Sequence, residues 1–258
     1  MTGFFRNIWK KWHLAVELTP LLILVITLKI LSHLLGFEII SFNALFSSII
    51  AASTFLIGFL ISGVISDYKE SEKLPGDLAS SMEILFDEAY ILDKKYKSKL
   101  SKSFYNFLVQ FLDSFKRWFN KKEKTLKLFD TLKKMNDYFL ELENTASPAS
   151  ISRMKLEQHN IRKMITRIHT IRETSFVPSA YTIVEVLAIM LISALIFLKL
   201  EPFYESIFFV SLVSFIDLYM LVLIKDLDNP FEYPDSGETK TEVSLKPLYD
   251  LAERVKHQ

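Results

Sequence analysis

"FLIGFLISGVISDYKESEKLPG", residues 55–76, passes from a lipid-compatible to a water-compatible composition within one continuous stretch. Its first twelve residues carry no charge, whereas the seven from Asp67 to Lys73 include three acids and two lysines. Phe55 and Phe59 lie four residues apart, which places both rings on one face of a helix. The stretch therefore predicts a membrane-spanning helix that continues into a charged segment in water.

Four blocks of the chain reach the length of about 20 mostly apolar residues that a bilayer crossing requires. Half of all residues are hydrophobic and 24% are charged, so the apolar residues are segregated. The first block is too long for a cleavable signal sequence, and no small-residue cleavage site follows it. We expect an all-α membrane protein with two transmembrane hairpins and a cytoplasmic helical domain. The four expected spans are Leu14–Leu35, Ala44–Ser66, Ser179–Leu198 and Phe203–Ile224.

Lysine and arginine are distributed unevenly around these spans. The segment between the second and third spans holds 21 of them, whereas the connections within the two hairpins are nearly free of them. Because positively charged loops stay in the cytoplasm, both termini and the middle segment are expected to face it. The expected organisation is an N-terminal arm with the first hairpin (1–66), a cytoplasmic helical domain (67–176), the second hairpin (177–225) and a cytoplasmic tail (226–258).

The middle segment has a helical pattern throughout. Phe104, Phe107, Phe111, Phe115 and Phe119 follow one another at steps of three and four residues. This spacing is typical of the buried stripe of a helix. Core packing is the simplest interpretation of the stripe.

Proline and polar residues mark the expected helix boundaries. Leu74–Gly76 is expected to separate two helices, with Asp77 capping the second of them. Ser147 is suited to an N-cap and Pro148 to the first position of a long helix with one basic side. The polar tail after Pro230 is expected to be extended.

The sequence contains no catalytic constellation. Cysteine is absent, and neither glycine-rich phosphate loops nor zinc-binding histidine pairs occur. We therefore expect no enzyme activity and no cofactor, and the net charge of +1 gives no reason to expect a nucleic-acid partner. Glu185 in the third span and Asp217 in the fourth are functional candidates, because charge in lipid is costly. Each also has a simpler interpretation, as the partner of a hydroxyl or a lysine inside the bundle.

The second span allows two interpretations. Ala51, Phe55 and Phe59 follow one another at steps of four residues on one face. This helix either packs in an ordinary bundle, or several copies surround an axis and the phenylalanines form rings. Such rings would make an apolar constriction that gates by dewetting.

Three longer stretches and one short one resemble the bestrophin family. The stretch from Phe55 resembles the family's second membrane helix, in which an aromatic–apolar–apolar–glycine–aromatic run leads to a charged segment ending in leucine and proline. "TSFVPSAYTIVEV" (174–186) resembles the entry to its third span, and "IKDLDNPFEYPDSGE" (224–238) resembles the segment after its fourth. "FRNIWKKW" (5–12) also fits the family's N-terminal arm. Their order and spacing agree with the family, so the resemblance covers most of the chain.

The resemblance implies a homopentameric ion channel of the plasma membrane or the bacterial inner membrane, with one axial pore. Phe55 and Phe59 would line its neck, with Ala51 one turn towards the outer side. By position, Ser150 or Ile151 would form a second constriction near the cytoplasmic end. The implied partners are the lipid bilayer, other copies of the chain and permeating monovalent ions.

Two departures from the family pattern change what is expected. Asp67 stands where the family usually has arginine, so five copies of Asp67 and Glu70 would place acidic rings below the neck. Since fixed negative charge opposes anions, we expect a channel that is not strongly anion-selective. The acids after the fourth span are spaced out, which predicts calcium-independent behaviour. The acids in this segment that could still act as metal ligands are Asp226, Asp228, Glu232 and Asp235.

A second class of function stays open. The chain is alternatively a non-conducting membrane protein whose spans anchor and oligomerise it while its cytoplasmic helices bind a partner. Oligomeric state separates the two classes, because a monomer or dimer cannot enclose a central pore with these helices. A third class, an intramembrane enzyme, is not indicated, because the sequence contains no nucleophile or metal-binding constellation.

Overall fold

The structure is a computed structural model that describes residues 2–174, 178–233 and 242–256. In this part of the chain the regular elements are helices and two strands of two residues each. In chain order they are α1 (Thr2–Leu34), β1 (Ile40–Ser41), α2 (Ala44–Ser71), α3 (Leu74–Tyr96), α4 (Lys99–Phe119), α5 (Thr125–Leu142), α6 (Pro148–Glu173), α7 (Pro178–Ile196), β2 (Leu198–Lys199), α8 (Phe203–Asp228) and α9 (Lys246–Lys256).

The chain divides into two compact units. The spanning unit consists of Met1–Asp67 and Ser175–Asp228, and the helical unit consists of Tyr68–Thr174 and Asn229–Gln258. The C-terminal segment therefore clusters with the middle segment, although the sequence pattern presents it as a separate tail.

Four helices of the spanning unit are long and apolar enough to cross a membrane. They are α1 from Trp12 onward, the apolar stretch that begins at Ala44, α7 and α8. Only 17–22% of the residues in these apolar stretches are buried in the single chain. Such exposure is expected where lipid or further copies of the chain supply the environment. The predicted four-span, all-α membrane architecture is confirmed.

Two apolar clusters hold the spanning unit together. The first lies around Val25 of α1, Leu191 of α7 and Val210 of α8. The second joins α2 to α7 and α8. Its buried members are Ile57, Leu60, Val64, Val184 and Ile224.

A short strand pair joins the two hairpin connections of the spanning unit. Ile40 pairs with Leu198 in parallel, and the Ile40 amide donates to the Phe197 carbonyl at 3.1 Å. The sequence pattern indicated no strand, because two residues are too few to show a period of two. Gly36 closes the turn after α1 with a φ of 69°, a left-handed conformation that glycine adopts without strain.

The aromatic stripe of α4 is the centre of the helical unit. Phe104, Phe111, Phe115 and Phe119 have no exposed surface, and α4 packs against α3, α5 and α9. The prediction that this stripe is a packed core is confirmed. Phe107, at the margin of the stripe, is only partly buried.

The helix boundaries agree with the sequence at α6 and differ at α3. The Ser147 hydroxyl accepts a hydrogen bond from the Ser150 amide at 3.2 Å, and α6 begins at Pro148 as predicted. By contrast, α3 already begins at Leu74, and Asp77 lies in its first turn without capping it. The first N–H groups of a helix have no partner within the helix, so a proline in the first turn loses no hydrogen bond. Pro75 is therefore part of the start of α3 and does not separate it from the preceding residues.

The expected extended tail is wrong for residues Lys246–Lys256, which form α9. Tyr105 of α4 donates from its hydroxyl to the Val255 carbonyl at 3.0 Å. Arg254 pairs with Glu83 of α3 at 2.9 Å. The helix buries an apolar face against the helical unit, and a pattern of only three turns is easily missed in a polar tail.

Candidate functional site

The phenylalanine column of α2 points away from the packed side of its helix. Phe55 and Phe59 are 72% and 74% exposed, and Ala51 is exposed as well. On the opposite side Ile57 and Val64 are buried in the spanning unit. Packing within its own chain is therefore not the role of this column, and its rings are available to lipid or to further copies.

The charged end of α2 is held by an arginine that the sequence analysis did not connect with it. Arg167 of α6 donates from Nε and Nη2 to the two carboxylate oxygens of Glu70 at 3.0 and 2.7 Å. Asp67 is exposed and also interacts within the chain. The predicted negative charge of Glu70 is thus balanced by a cation 97 residues further along the chain. No local signal marks such a pair, although the basic side of α6 is visible in the sequence.

The residues predicted to form a cytoplasmic constriction are buried in the single chain. Ser150 and Ile151 are 9% and 5% exposed. The Ser150 hydroxyl accepts hydrogen bonds from Ser147 at 3.2 Å and from Arg153 at 3.3 Å, while Ile151 belongs to the core of the helical unit. These contacts are those of the single chain, and the role of Ser150 or Ile151 at a constriction between copies stays a prediction.

The two intramembrane acids have different surroundings. Glu185 of α7 pairs with Lys225 of α8 at 2.7 Å, which agrees with its simpler interpretation as an ion-pair partner. Asp217 of α8 is 1% exposed, and its Oδ2 atom has no hydrogen-bond partner. An acid that is buried in an apolar span and unpartnered calls for an explanation of its own.

A buried ionic cluster lies where α1 ends, and the sequence analysis missed it. Lys29 lies near the end of the first expected span, where a long charged side chain usually reaches water, yet its side chain is 1% exposed. Its ammonium group donates to Glu38 at 2.5 Å and to the Leu198 carbonyl. His33 lies 2.9 Å from the other Glu38 oxygen, and its ring stacks on Phe203 with 3.7 Å between centroids. A lysine inside a span, followed nine residues later by an acid, is the signal that would have found this cluster.

The cluster changes the acidity of Glu38. Burial alone would raise the pKa of this carboxyl group. The hydrogen bonds from Lys29 and His33 and their positive charges outweigh burial, so the pKa lies below its ordinary value of 4.5. Glu38 is therefore an anion at neutral pH and neutralises the buried lysine.

The acids at and after the C-terminal end of α8 do not form a metal site in the part of the chain that the structure describes. No three histidine or acidic side chains gather there in a metal-binding arrangement. Glu232 pairs with Lys121 at 2.7 Å, and Asp226 and Asp228 both interact within the chain. Asp235, the remaining candidate, lies outside the described residues.

Comparison with known proteins gives a clear answer at the level of the fold. No protein-family model and no curated protein matches the chain. A solved variant of a bacterial bestrophin homolog from Klebsiella pneumoniae is similar, with a TM-score of 0.77 at 15% identity over 93% of this chain and 98% of that chain. The chain has the bestrophin fold. A second variant of that homolog has a TM-score of 0.74 at 18% identity, covering 91% of this chain and 95% of its own.

The comparison confirms the resemblance that the sequence motifs indicated. A further solved structure, described as a membrane protein, matches with a TM-score of 0.74 at 17% identity over 91% of this chain and 95% of that chain. Since the matches cover nearly the whole of both chains, the bestrophin fold includes the spanning and the helical units.

Proposed function

We propose that the chain assembles as a homopentamer and forms a passive ion channel, with the second spans of five copies around one axial path. The observation that carries this proposal is the exposure of Phe55 and Phe59 on a helix whose other side is packed. The bestrophin fold supports the same arrangement. The spanning helix α2 is then placed so that its exposed column meets the columns of the other copies.

In this channel the two phenylalanine rings form an apolar neck. Ten aromatic side chains would surround the path, and an apolar constriction of that kind loses its water unless it widens. Ala51, one turn towards the outer side, has a short side chain and would leave a wider entry. Gating would therefore depend on small movements of α2.

The charge below the neck opposes anions. In the proposed ring each copy contributes Asp67, which is exposed, and Glu70, which is paired with Arg167. Monovalent ions are the proposed permeating species, and the channel is not strongly anion-selective. Asp67→Arg should shift the reversal potential in bilayers towards that of the anion. Glu253→Arg on α9 makes the same charge change as a control, and an equal shift in both variants would contradict the proposed ring.

The uneven distribution of lysine and arginine supports a cytoplasmic location for both termini and the helical unit. The proposed location is the plasma membrane or the bacterial inner membrane. Catalysis and a cofactor are not part of the proposal.

The mass of the purified assembly tests the proposal first. One chain has a mass of 30.0 kDa, so a pentamer in detergent should contain about 150 kDa of protein. Native mass spectrometry, or light scattering corrected for detergent, measures this value. A monomer or dimer would overturn the axial pore and favour the rival function, a membrane anchor whose helical unit binds a partner.

Ion flux in proteoliposomes then tests the neck. Phe55→Ala and Phe59→Ala together should increase flux, because the constriction loses its aromatic rings. Phe208→Ala is a matched control, since Phe208 is 61% exposed on α8 but lies outside the proposed neck. Flux that is unchanged in a pentameric double variant would show that the column only packs.

A further inference from the structure

Asp217 lies deep within the fourth spanning helix. It is 14 residues after Phe203 and 11 before Asp228, the ends of α8. At 1.5 Å per residue, these separations are about 21 and 16 Å along the helix axis. Because the hydrocarbon core is about 30 Å thick, the carboxyl group is near its middle. Helix α8 packs against α1 and α7, so the residue belongs to the interior of the spanning unit.

Polar side chains on the same face of α8 are also buried without partners. Ser206 and Ser214 have no exposed surface, and neither hydroxyl oxygen has a hydrogen-bond partner. Ser214 and Asp217 are three residues apart and are therefore neighbours on the helix surface. Ser206 is three turns away from Asp217. The two neighbouring residues present a carboxylate oxygen and a hydroxyl oxygen that nothing in the described chain satisfies.

A buried carboxyl group in this position is neutralised either by a proton or by a bound cation. An unpaired ion in an apolar environment is costly, and unsatisfied buried polar atoms often mark an unplaced ion or water. Among the ion pairs of the described residues, none includes Asp217. Carboxylate and hydroxyl oxygens are ligands for hard cations. A single acid supplies one negative charge, which matches a monovalent cation and leaves a divalent cation uncompensated.

We propose that Asp217 and Ser214 bind one small monovalent cation, Na⁺, inside the spanning unit of each chain. A carboxylate is a strong-field ligand in a fully buried site, so a small ion is preferred over K⁺. The site lies between the helices of one chain. It does not depend on the axial path or on the proposed pentamer, and its test can succeed or fail separately from theirs.

Carbodiimide labelling of the full-length protein tests the site. Dicyclohexylcarbodiimide modifies protonated carboxyl groups in membranes, and a bound cation protects the group by replacing the proton. The purified chain is labelled in NaCl, KCl or choline chloride, and the modified fraction of Asp217 is measured by peptide mass spectrometry. Labelling in choline with strong protection by Na⁺ and weaker protection by K⁺ is expected. Equal labelling in all three salts would overturn the site, because the carboxyl would then carry only a proton.

Two serine variants identify the second ligand. Ser214→Ala should raise the half-protecting Na⁺ concentration about tenfold, as expected from the loss of one ligand. Ser206→Ala removes an equally buried and unpartnered hydroxyl from the same helix and should leave that concentration unchanged. Equal effects in both variants would contradict a role for Ser214.

Thermal unfolding decides the case in which the carbodiimide does not reach the carboxyl group. The wild-type chain should melt at a higher temperature in Na⁺ than in choline, because a bound ion stabilises the folded state. Asp217→Asn keeps the shape of the side chain and should lose this difference. A melting temperature that does not respond to Na⁺, with no labelling in any salt, would overturn the proposal.

Discussion

Replacing Glu38 with glutamine should destabilise the spanning unit strongly, because it leaves the ammonium group of Lys29 buried without an anion. The two side chains are 10% and 1% exposed, and the atoms that pair are 2.5 Å apart. Removal of one partner from a buried ion pair costs about 3–5 kcal/mol. For a chain of this size that loss corresponds to a decrease in melting temperature of roughly 6–20 °C.

Two further variants separate the charge effect from general damage at this site. Lys29→Met with Glu38→Gln replaces the pair by groups without charge, and the double variant should recover most of the stability that Glu38→Gln loses. Glu201→Gln is a matched control, because Glu201 is 77% exposed and pairs with Lys199 at 3.2 Å. Its effect should stay within about 0.5 kcal/mol. Tryptophan fluorescence during heating, in detergent, measures all of these. A Glu38→Gln variant that melts within about 2 °C of the wild type would refute the reasoning.

Three other predictions follow from contacts in the two units. Acid should destabilise the wild type. Because the pKa of Glu38 in the folded state lies below 4.5, its stabilising contribution is complete above pH 4.5 and is lost as the pH falls through the folded-state pKa. Glu38→Gln should lose this part of the pH dependence in melting curves, and an unchanged profile would contradict it. Arg167→Gln should leave the charge of Glu70 unbalanced and shift the reversal potential towards that of the cation. Arg167→Lys keeps the positive charge and should shift the reversal potential less. Equal shifts in the two variants would rule out charge as the cause. Phe115→Ala should cost about 3–5 kcal/mol in denaturant unfolding, because it opens a cavity in a fully buried aromatic core. Leu126→Ala at a 74% exposed position is its control and should change stability by less than about 0.5 kcal/mol.

Local sequence patterns predicted those elements that are determined by residues close to them in the sequence. The spans follow from the length of their apolar runs, and the core of the helical unit follows from the period of the α4 phenylalanines. The start of α6 follows from Ser147 and Pro148, which act on the backbone next to them. In each case the physical cause lies within a few residues of the feature, so a single sequence is sufficient.

The features that sequence reasoning missed depend on partners far apart in the chain. Glu70 is an acid in the local pattern, but in the fold it is half of an ion pair with Arg167. Lys29 lies near a span end, where a lysine usually reaches water, yet the loop that carries Glu38 folds back onto it. The same limit applies to Ser150 and Ile151, whose burial depends on how α6 packs within the helical unit.

The pairing of Glu70 with Arg167 determines both the charge balance and the orientation of the Glu70 side chain at the end of α2. Both carboxylate oxygens are engaged by the guanidinium group, which fixes the orientation of the Glu70 side chain as well as its charge balance. A second arginine of α6, Arg153, binds the buried Glu88 of α3 at 2.6 Å. Helix α6 thus holds the segments on both sides of the α2–α3 turn through two separate pairs. If α2 lines a pore, replacing Arg167 should change both the charge balance of Glu70 and the orientation of its side chain at the end of that helix. Selectivity and gating are therefore expected to change together when Arg167 is replaced, whereas changes at Phe55 and Phe59 should affect the neck alone.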